Sequence, residues 1–404
     1  MRRNIAVGID IGSHKVKVIV AETTPDGNQL PKVLGVGIAE SKGMRHGYII
    51  HQGEAVRSIR RAIKQAEKTS KLRISKVFLS IGGIGLTSHI STGTVMISRA
   101  DSEVTHLDIE KVLEESQAML PNTVAVNYKV IHTIPVEYRL DGKTVLGNPI
   151  GMKGVKLEAK VLYVMCLEHH ISELIQAVED AGVEIIDVMA SPLAASLVTL
   201  TKTEKIAGCV LANVGSETVS IVVYENDIPI SLEIFPIGAN DITNDIALGL
   251  KISLDQAEYI KVQRDSYEAQ AHPKKKIDEI VSARLSDIFE LVEAHLKKIG
   301  KNGLLPAGVI ISGGGSNIAT IDDLAKAYLK LPTKVSSLAC DASRIECIDS
   351  SEVRVKDSVW AVAYGLCVFG LYNEDEDTIS SKVGLRIFKE AKTKILQWIK
   401  QFLP

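Results

Sequence analysis

Apolar and polar positions along the chain mark the same strand–turn–strand unit twice. An apolar run, a turn of small residues and an alternating segment follow one another over residues 5–20, and the same succession recurs over residues 209–223. Asp10 and Asn213 occupy equivalent places at the ends of the two apolar runs. Repetition at half-chain spacing predicts two similar α/β domains with a cleft between them.

A third unit places glycines after a strand. Val309–Ser312 has the pattern of a short buried strand, three glycines follow at 313–315, and a helix is predicted to begin near Asn317 or Thr320. Glycines there let the backbone approach a bulky ligand closely, and the two earlier hairpins carry glycine and hydroxyl residues whose backbone N–H groups can wrap around phosphates. An ordinary turn is the alternative in each case, and a facing pair of hairpins favours phosphate binding more strongly than either hairpin alone.

The end of the chain is predicted to be an amphipathic helix. On a helical projection of residues 384–404, apolar side chains gather on one half and polar side chains on the other. Residues 382–404 contain six basic residues and one acid, whereas residues 374–377 are all acidic. A basic face opposite an aromatic-bearing apolar face is typical of a helix that lies in the membrane interface. The alternative is a terminal helix packed on the protein's own body.

Composition excludes several classes of function. The 404 residues are 46% hydrophobic, which allows a sizeable buried core. Aromatic residues make up 4%, and 47 basic residues stand against 49 acidic ones, so a nucleic-acid-binding protein is not expected. Five cysteines without a CxxC pair argue against a disulfide framework or zinc site and fit a reducing cytoplasm. No apolar run reaches the roughly 18 residues that a membrane-spanning helix needs.

The motifs together carry a resemblance to a known superfamily. Residues 10–15, the second hairpin and the turn at 313–315 resemble the phosphate-1, phosphate-2 and adenosine motifs of the actin/Hsp70/sugar-kinase ATPases. Within that superfamily, the chain is similar to the FtsA family of bacterial cell-division proteins over most of its length. The segments that carry this similarity are Ile134–Tyr138, Gly151–Val155 and Ala159–Val161 for the inserted subdomain, Pro192–Ser196 for the connecting helix, Ile237–Ile246 and Ala257–Lys261 for the second half, and the basic C-terminus for the membrane-targeting sequence.

The resemblance implies an α/β, actin-like ATPase fold. Two RNase-H-like domains would surround a nucleotide cleft, with an FtsA-type inserted subdomain and a C-terminal amphipathic helix. The implied boundaries are 1–86 and 166–202 for the first domain with its connecting helix, 87–165 for the inserted subdomain, 203–230 and 304–372 for the second domain, 231–303 for its smaller subdomain, 373–381 for an acidic linker and 382–404 for the membrane-targeting helix.

The resemblance also implies a function. FtsA-like proteins bind ATP with Mg²⁺, self-associate into actin-like filaments and hold the C-terminal peptide of FtsZ. Such a protein would tether FtsZ filaments to the cytoplasmic face of the cell membrane at the division site, together with other division proteins. It would be a peripheral protein on an anionic membrane surface and would have no nucleic-acid partner.

Individual residues take roles from the same resemblance. Asp10 would hold Mg²⁺ through water, because hard oxygen ligands suit that ion. Arg284 matches a position that contacts the acidic FtsZ tail, with a solvent-facing helix arginine as the alternative. The nucleotide-binding positions are Gly12, Ser13 and Lys15 towards the β-phosphate, Asn213, Gly215, Ser216 and Thr218 towards the γ-phosphate, Gly313, Gly314 and Gly315 at the adenosine, and Glu258 with Lys261 near the ribose. For Glu258 and Lys261, a plain i,i+3 salt bridge is the alternative. The membrane-contacting positions are Ile387, Phe388, Lys389, Lys394, Ile395, Trp398, Ile399, Lys400 and Phe402.

Several residues depart from the family pattern. The second hairpin normally begins with aspartate and continues through glycines, whereas this chain has Asn213, Ser216 and Glu217. Superfamily members such as MreB carry a hydrolytic glutamate where Ser191 stands. Asparagine removes a charge that helps to hold magnesium, and a glutamate carboxylate repels phosphate. We therefore predict weakened nucleotide binding, with hydrolysis very slow or absent. The loop between Val262 and Arg284 is also shorter than in typical FtsA proteins.

Two other classes of function stay open at this point. An actin-fold scaffold for another membrane machine, like the pilus-assembly protein PilM, would share the fold but lack the amphipathic tail. A sugar kinase would need a catalytic base and a sugar pocket, which the sequence does not reveal. An Hsp70-like ATPase would need a substrate-binding domain, for which this length leaves no room.

Overall fold

The computed structural model describes residues 4–23, 30–263, 273–338 and 357–373. The predicted acidic segment at 374–377 and the predicted membrane helix lie outside the described residues, and so do residues 264–272 of the shortened loop. No helix within the described ranges is both long enough and apolar enough to cross a membrane.

A five-stranded mixed sheet forms the centre of the first half. Its strands are β1 (Ile5–Ile11), β2 (Lys15–Glu22), β3 (Lys32–Glu40), β6 (Lys76–Ile81) and β11 (Glu184–Ala190). They lie in the order β11-β6-β1-β2-β3. The β11–β6 and β6–β1 pairs are parallel, whereas the β1–β2 and β2–β3 pairs are antiparallel. Gly8 faces α11 (Ala361–Asn373) and Gly37 faces α1 (Gln52–Ser70). Because these glycines pair with neighbouring residues of β2, which point to opposite faces, the two helices cover opposite faces of the sheet.

A second five-stranded sheet repeats the first one strand for strand. Its strands are β12 (Cys209–Val214), β13 (Val219–Glu225), β14 (Ile228–Phe235), β15 (Gly308–Ser312) and β16 (Thr333–Val335). The order β16-β15-β12-β13-β14 matches that of the first sheet, with the same parallel and antiparallel pairs. Alternate residues of β12 point into two different cores. Leu211 lies in the core shared with the first half, and Val210 lies in the core on the outer face. The predicted repetition of two α/β domains is confirmed.

A separate four-stranded sheet is inserted into the first half. Its strands are β7 (Leu86–Met96), β8 (Tyr128–Leu140), β9 (Lys143–Val145) and β10 (Lys156–Leu167), in the order β7-β10-β8-β9. Helices α2 (His106–Ala118) and α3 (Asn122–Ala125) lie between β7 and β8 in the chain, and α2 packs on β7 and β10. Its own core includes Val112, Leu157 and Tyr163, all at most 1% exposed, so the insert is a body with its own buried centre.

The remaining helices include α4 (Glu168–Asp180), which packs on the first half, and helices that cover the second sheet or connect the halves. The latter are α5 (Ser191–Thr199), α6 (Lys202–Ala207), α7 (Ala239–Leu250), α8 (Leu254–Val262), α9 (Lys274–Lys298) and α10 (Ile321–Leu329), with 3₁₀ turns at Gly314–Asn317 and Ser358–Trp360. Helices α7 to α9 form a layer whose core includes Ile246, Val281 and Phe289. The boundary expected at 231 falls within β14, and this helical layer begins at Ala239.

Helices α5 and α11 join the two halves. α5 contacts strands of both sheets, and α11 packs on the first sheet and against α5. The Ser196 hydroxyl lies 2.7 Å from that of Tyr224 on the second sheet, and the Tyr364 hydroxyl donates to the Pro31 carbonyl at 2.7 Å on the first side. The two helices therefore form a buried crossing that links the two sheets, next to the cleft between the two domains.

Candidate nucleotide site

The first predicted phosphate hairpin is the turn between β1 and β2. The Gly12 amide donates to the Lys15 carbonyl at 3.2 Å and closes the turn, while Lys15 itself is exposed. Asp10 is 7% exposed, accepting from Lys17 Nζ at 3.0 Å and from the Ser80 hydroxyl at 3.0 Å. The carboxylate is therefore held at the carboxyl edge of the sheet by a cation and a hydroxyl, as a charge at a buried position requires.

The second hairpin repeats this geometry at the turn between β12 and β13. The Gly215 amide donates to the Thr218 carbonyl at 2.8 Å, and Asn213 pairs with Ser220 as Asp10 pairs with Lys17. The two turns thus have the same length and the same closing hydrogen bond. Helix α7 begins directly against the second turn, because the Ala239 and Asn240 amides donate to its carbonyl groups at 2.9 and 2.7 Å.

The glycine turn after β15 lies against the second hairpin. Gly313 has φ 88°, and a Cβ at this position would lie 2.3 Å from Asn213 Oδ1, so only glycine fits. A Cβ on Gly315 would lie 2.4 Å from Val214 Cγ1, whereas a Cβ on Gly314 would have no neighbour nearer than 3.8 Å. The structure therefore brings the second hairpin and the glycine turn together, with open space at Gly314. The helix predicted after it is α10, which begins at Ile321 behind a 3₁₀ turn.

Glu258 and Lys261 form an ion pair on α8. The Lys261 ammonium is buried and donates to Glu258 Oε2 at 2.6 Å, to Thr243 Oγ1 at 2.7 Å and to the Ala239 carbonyl at 3.1 Å. These contacts use all three of its N–H donors. Burial raises the pKa of the Glu258 carboxyl, but hydrogen bonds from Lys261 and Thr243 outweigh that effect, so the pKa lies below its usual value. The salt bridge is therefore present, and the ribose role of the pair stays a prediction.

The carboxylate of this ion pair also acts electrostatically on the first hairpin. Burial is the largest cause that lowers the pKa of His14, and the neighbouring Lys15 lowers it further, whereas the Glu258 carboxylate opposes the shift. Because the Glu258 side chain is 47% exposed and that of Lys261 is 6% exposed, Glu258 is the member of the pair open to a ligand.

Two backbone amides bridge the two hairpins directly. They belong to His46 and Gly47, in the turn between the short strands β4 (Met44–Arg45) and β5 (Tyr48–Ile49). The His46 amide donates to Glu217 Oε2 at 2.5 Å, and its imidazole Nδ1 donates to the Glu217 carbonyl at 3.1 Å. The Gly47 amide donates to the Ser13 hydroxyl at 3.1 Å. The tips of both hairpins therefore meet at one dipeptide of the first half.

Arg284 lies on α9 and is engaged by two carboxylates. Its Nε donates to Asp245 Oδ2 at 2.7 Å and its Nη2 to Asp245 Oδ1 at 3.1 Å, while Nη1 lies 3.3 Å from Asp287 Oδ2. The hydrogen bond to Asp245 raises the pKa of the guanidinium. The side chain is 29% exposed, so it is neither fully solvent-facing nor buried. Contact with an acidic peptide stays a prediction.

The donors at the cleft fit a hydrated divalent cation better than a fully coordinated one. Among the residues that the structure describes, no group of three or more His, Cys, Asp or Glu side chains could hold a metal ion. Asp10 provides one carboxylate at the edge of the first sheet, and Asn213 provides a neutral amide at the equivalent edge. A single carboxylate suits Mg²⁺, which usually keeps several waters and takes its other ligands from phosphates.

Comparison with known proteins identifies the family. A family model for the cell division protein FtsA matches residues 210–365, and a model for the SHS2 domain inserted in FtsA matches residues 83–165. Cell division protein FtsA of Pseudomonas aeruginosa is 30% identical over 417 aligned residues, which cover 98% of this chain and 97% of that protein. The chain belongs to the FtsA family.

Other FtsA proteins and more distant structures agree with this. FtsA of Bacillus subtilis is 28% identical over 96% of this chain and 88% of its own length, and FtsA of Escherichia coli K12 is 29% identical over 78% and 80%. The PilM–PilN type IV pilus biogenesis complex contains a chain that superposes with a TM-score of 0.65 at 18% identity, covering 91% of this chain and 98% of that one. MreB5 of Spiroplasma citri bound to ADP gives 0.51 at 13% identity, with 91% and 96% covered. These structures share the actin-like fold.

Ser191 stands at the start of α5, beside the cleft of this FtsA-family chain. It is 9% exposed, and a Cβ on Gly82 would lie 2.8 Å from its hydroxyl. The site is therefore tightly packed at the place where the resemblance expects a hydrolytic glutamate.

Sequence reasoning missed His46, Gly47 and Thr243. Glycine spacing at Gly43 and Gly47 indicates a turn, but nothing local points to a partner 171 residues away. Thr243 stands out in the sequence only as part of a matching segment, and its hydroxyl donates to Glu258 at 2.5 Å.

Proposed function

We propose that this FtsA-family chain tethers FtsZ filaments to the cytoplasmic face of the cell membrane at the division site. In this proposal it binds ATP with Mg²⁺ in the cleft, polymerises like actin and hydrolyses ATP very slowly or not at all. Other division proteins would dock on the same assembly. Membership of a cell-division family supports the cellular role, and the geometry of the cleft supports nucleotide binding.

The observation that carries nucleotide binding is the matched pair of hairpins. Each has a closing hydrogen bond from a glycine amide, and the tips of both converge on His46–Gly47. The glycine turn leaves open space at Gly314 beside the second hairpin. Turns that present amides and hydroxyls from two sides suit a chain of phosphates, and the glycine turn suits a flat base and ribose.

Each group in the cleft then has a defined task. Mg²⁺, when bound with the nucleotide, would neutralise phosphate charge, and Asp10 would hold it through water. The amides of the first hairpin would bind the β-phosphate, with Gly12, Ser13 and Lys15 closest to it. Glu258, held by Lys261, would accept hydrogen bonds from the ribose hydroxyls. Asn213 provides no second carboxylate for the metal or for an attacking water, so binding without rapid turnover is the expected outcome.

We expect purified full-length protein to bind ATP saturably in the presence of Mg²⁺ and to release phosphate at most very slowly. Equilibrium titration with ATP, with and without Mg²⁺, measures the first property, and a phosphate-release assay measures the second. Asn213→Asp adds a carboxylate of the same shape and should strengthen the Mg²⁺ dependence of binding. Brisk Mg²⁺-dependent turnover by the unmodified protein would contradict the proposal, and so would failure to bind ATP at all.

We expect Arg284→Ala to weaken binding of an FtsZ C-terminal peptide by about tenfold, because charge-assisted hydrogen bonds contribute about 1.5–3 kcal/mol. Asp245→Asn is the matched variant, since it keeps the cation and removes the carboxylate that now occupies it. It should leave peptide binding unchanged or strengthen it. Fluorescence anisotropy of a labelled peptide measures both variants. If both weaken binding equally, the pair merely holds α7 to α9 and Arg284 does not contact the peptide.

A further inference from the structure

Glu217 stands at the tip of the second hairpin, where the sequence pattern of related hairpins has glycine. The matched hydrogen bonds of the two turns place it in the position that His14 has in the first hairpin. A carboxylate there does more than add bulk. It reaches out of its own half of the molecule and accepts the His46 amide at 2.5 Å.

Glu217 accepts hydrogen bonds from His46 through both its side chain and its backbone carbonyl, so both parts of the residue are fixed. Because a carbonyl oxygen only accepts, the His46 Nδ1 carries the proton in its 3.1 Å contact with the Glu217 carbonyl. A hydrogen bond to a charged carboxylate is shorter and stronger than a neutral one. The residue is half-buried, so water competes only partly for these contacts. Two hydrogen bonds therefore join the halves of the molecule at this residue.

The first half of the molecule fixes the conformation of His46 and Gly47. His46 has φ 49° and Gly47 has φ 87°, both in the left-handed region. A Cβ on Gly47 would lie 2.4 Å from Gly83 Cα, and the Ile84 amide donates to the His46 carbonyl at 3.2 Å. A non-glycine residue in this conformation is unfavourable and persists only when its surroundings fix it. The two amides are thus preset in the direction of the hairpins.

We propose that Glu217 is a built-in anionic bridge that closes the cleft without nucleotide and disfavours a third phosphate. This inference rests on the proposed nucleotide binding, in which the second hairpin clasps the terminal phosphate. The carboxylate already occupies the His46 amide, and its charge repels an incoming γ-phosphate. A nucleoside diphosphate, which ends before that position, meets neither obstacle. The chain should therefore discriminate against ATP relative to ADP, and its closed form should not depend on a bound nucleotide.

Two substitutions separate the bridge from its charge. Glu217→Gly removes the acceptor, whereas Glu217→Gln keeps an oxygen acceptor for the His46 amide and removes the charge. Glu179→Gln makes the same charge change at an exposed position on α4 and serves as the control. Hydrogen exchange of the segment 44–49 in nucleotide-free, full-length protein reports the bridge. Equilibrium dissociation constants for ATP and ADP, each with Mg²⁺, report the discrimination.

We expect Glu217→Gly to speed exchange of segment 44–49 about tenfold and Glu217→Gln to leave it close to that of the unmodified protein. Both variants should lower the ratio of the ATP to the ADP dissociation constant about tenfold, because both remove the repelling charge, and the control should change neither quantity. Unchanged exchange in Glu217→Gly would overturn the bridge, and an unchanged ratio would overturn the discrimination. If no protein binds either nucleotide, the proposed cleft function fails, while the exchange result still decides whether the bridge exists.

Discussion

Removing residues 382–404 should abolish binding to anionic vesicles. One face of the predicted helix bears Phe388, Trp398 and Phe402, and the opposite face bears Lys389, Lys394 and Lys400. Each lysine near an anionic surface contributes about 1 kcal/mol, and burial of the apolar face adds to this. Replacing the three lysines with glutamine should therefore lower membrane partitioning about a hundredfold. Co-sedimentation of full-length protein, the truncated protein and the glutamine variant with anionic liposomes measures the effect.

The controls separate a membrane helix from a helix that belongs to the body. Lys274, Lys275 and Lys276 are exposed in the first turn of α9, so their replacement by glutamine makes the same change in net charge away from the tail. That variant should sediment like the unmodified protein. Higher salt should weaken binding, because exposed charges are screened. If full-length and truncated proteins both stay in the supernatant, the tether mechanism must be withdrawn. A scaffold role like that of PilM is then the favoured alternative.

Local pattern is sufficient to predict the two hairpins. Each hairpin joins neighbouring strands in the chain, so the alternation of residues in β1 and β2, or in β12 and β13, determines both the strands and the turn between them. The equivalence of Asp10 and Asn213 follows from the same local register. The turn at Gly313 is also predictable, because a strand that runs directly into consecutive glycines indicates a tight turn.

Contacts between distant segments are not predictable from local pattern. The Ser88 hydroxyl donates to the Leu232 carbonyl at 2.7 Å and accepts its amide at 3.0 Å, which ties the inserted sheet to β14 across 144 residues. His170 has the sequence context of a solvated helix residue, yet it is fully buried and donates to the Gly82 carbonyl at 2.9 Å. His170 is buried because it lies on the face of α4 that packs on the protein. Polar neighbours in the sequence, such as His169, make this buried face hard to recognise from local pattern.

The residues of the candidate site are easier to predict than their contacts. Glu217 stands out in the sequence as a charge that repels phosphate, but the amide that it accepts lies on a turn with no distinctive motif. Lys261 has the spacing of a surface i,i+3 pair, although its ammonium is buried under three oxygen acceptors. In both cases the residue type is visible in the sequence, whereas burial and partner depend on how the halves pack together.

Gly365→Ala should strongly destabilise the fold, because it forces apart the helices that join the two halves. A Cβ at Gly365 on α11 would lie 1.9 Å from the Ala194 carbonyl oxygen on α5 and 2.6 Å from its carbon. These are backbone atoms, so no side chain can rotate away to relieve the clash. Overpacking of this kind costs about 1–3 kcal/mol, and a rigid backbone contact belongs at the upper end. We expect the thermal midpoint, measured by calorimetry, to fall by about 5 °C or more.

Gly53→Ala is the matched control for this helix crossing. Gly53 lies in α1, and a Cβ there would have no neighbour within 4 Å. Because alanine is favoured over glycine in a helix by roughly 0.5–1 kcal/mol, this variant should melt at the same temperature as the unmodified protein or slightly above it. A Gly365→Ala protein with unchanged midpoint would show that α5 and α11 can separate freely. The close crossing would then not hold the halves together, and the contacts at His46 and Gly47 and the Ser88–Leu232 hydrogen bonds would be left to join them.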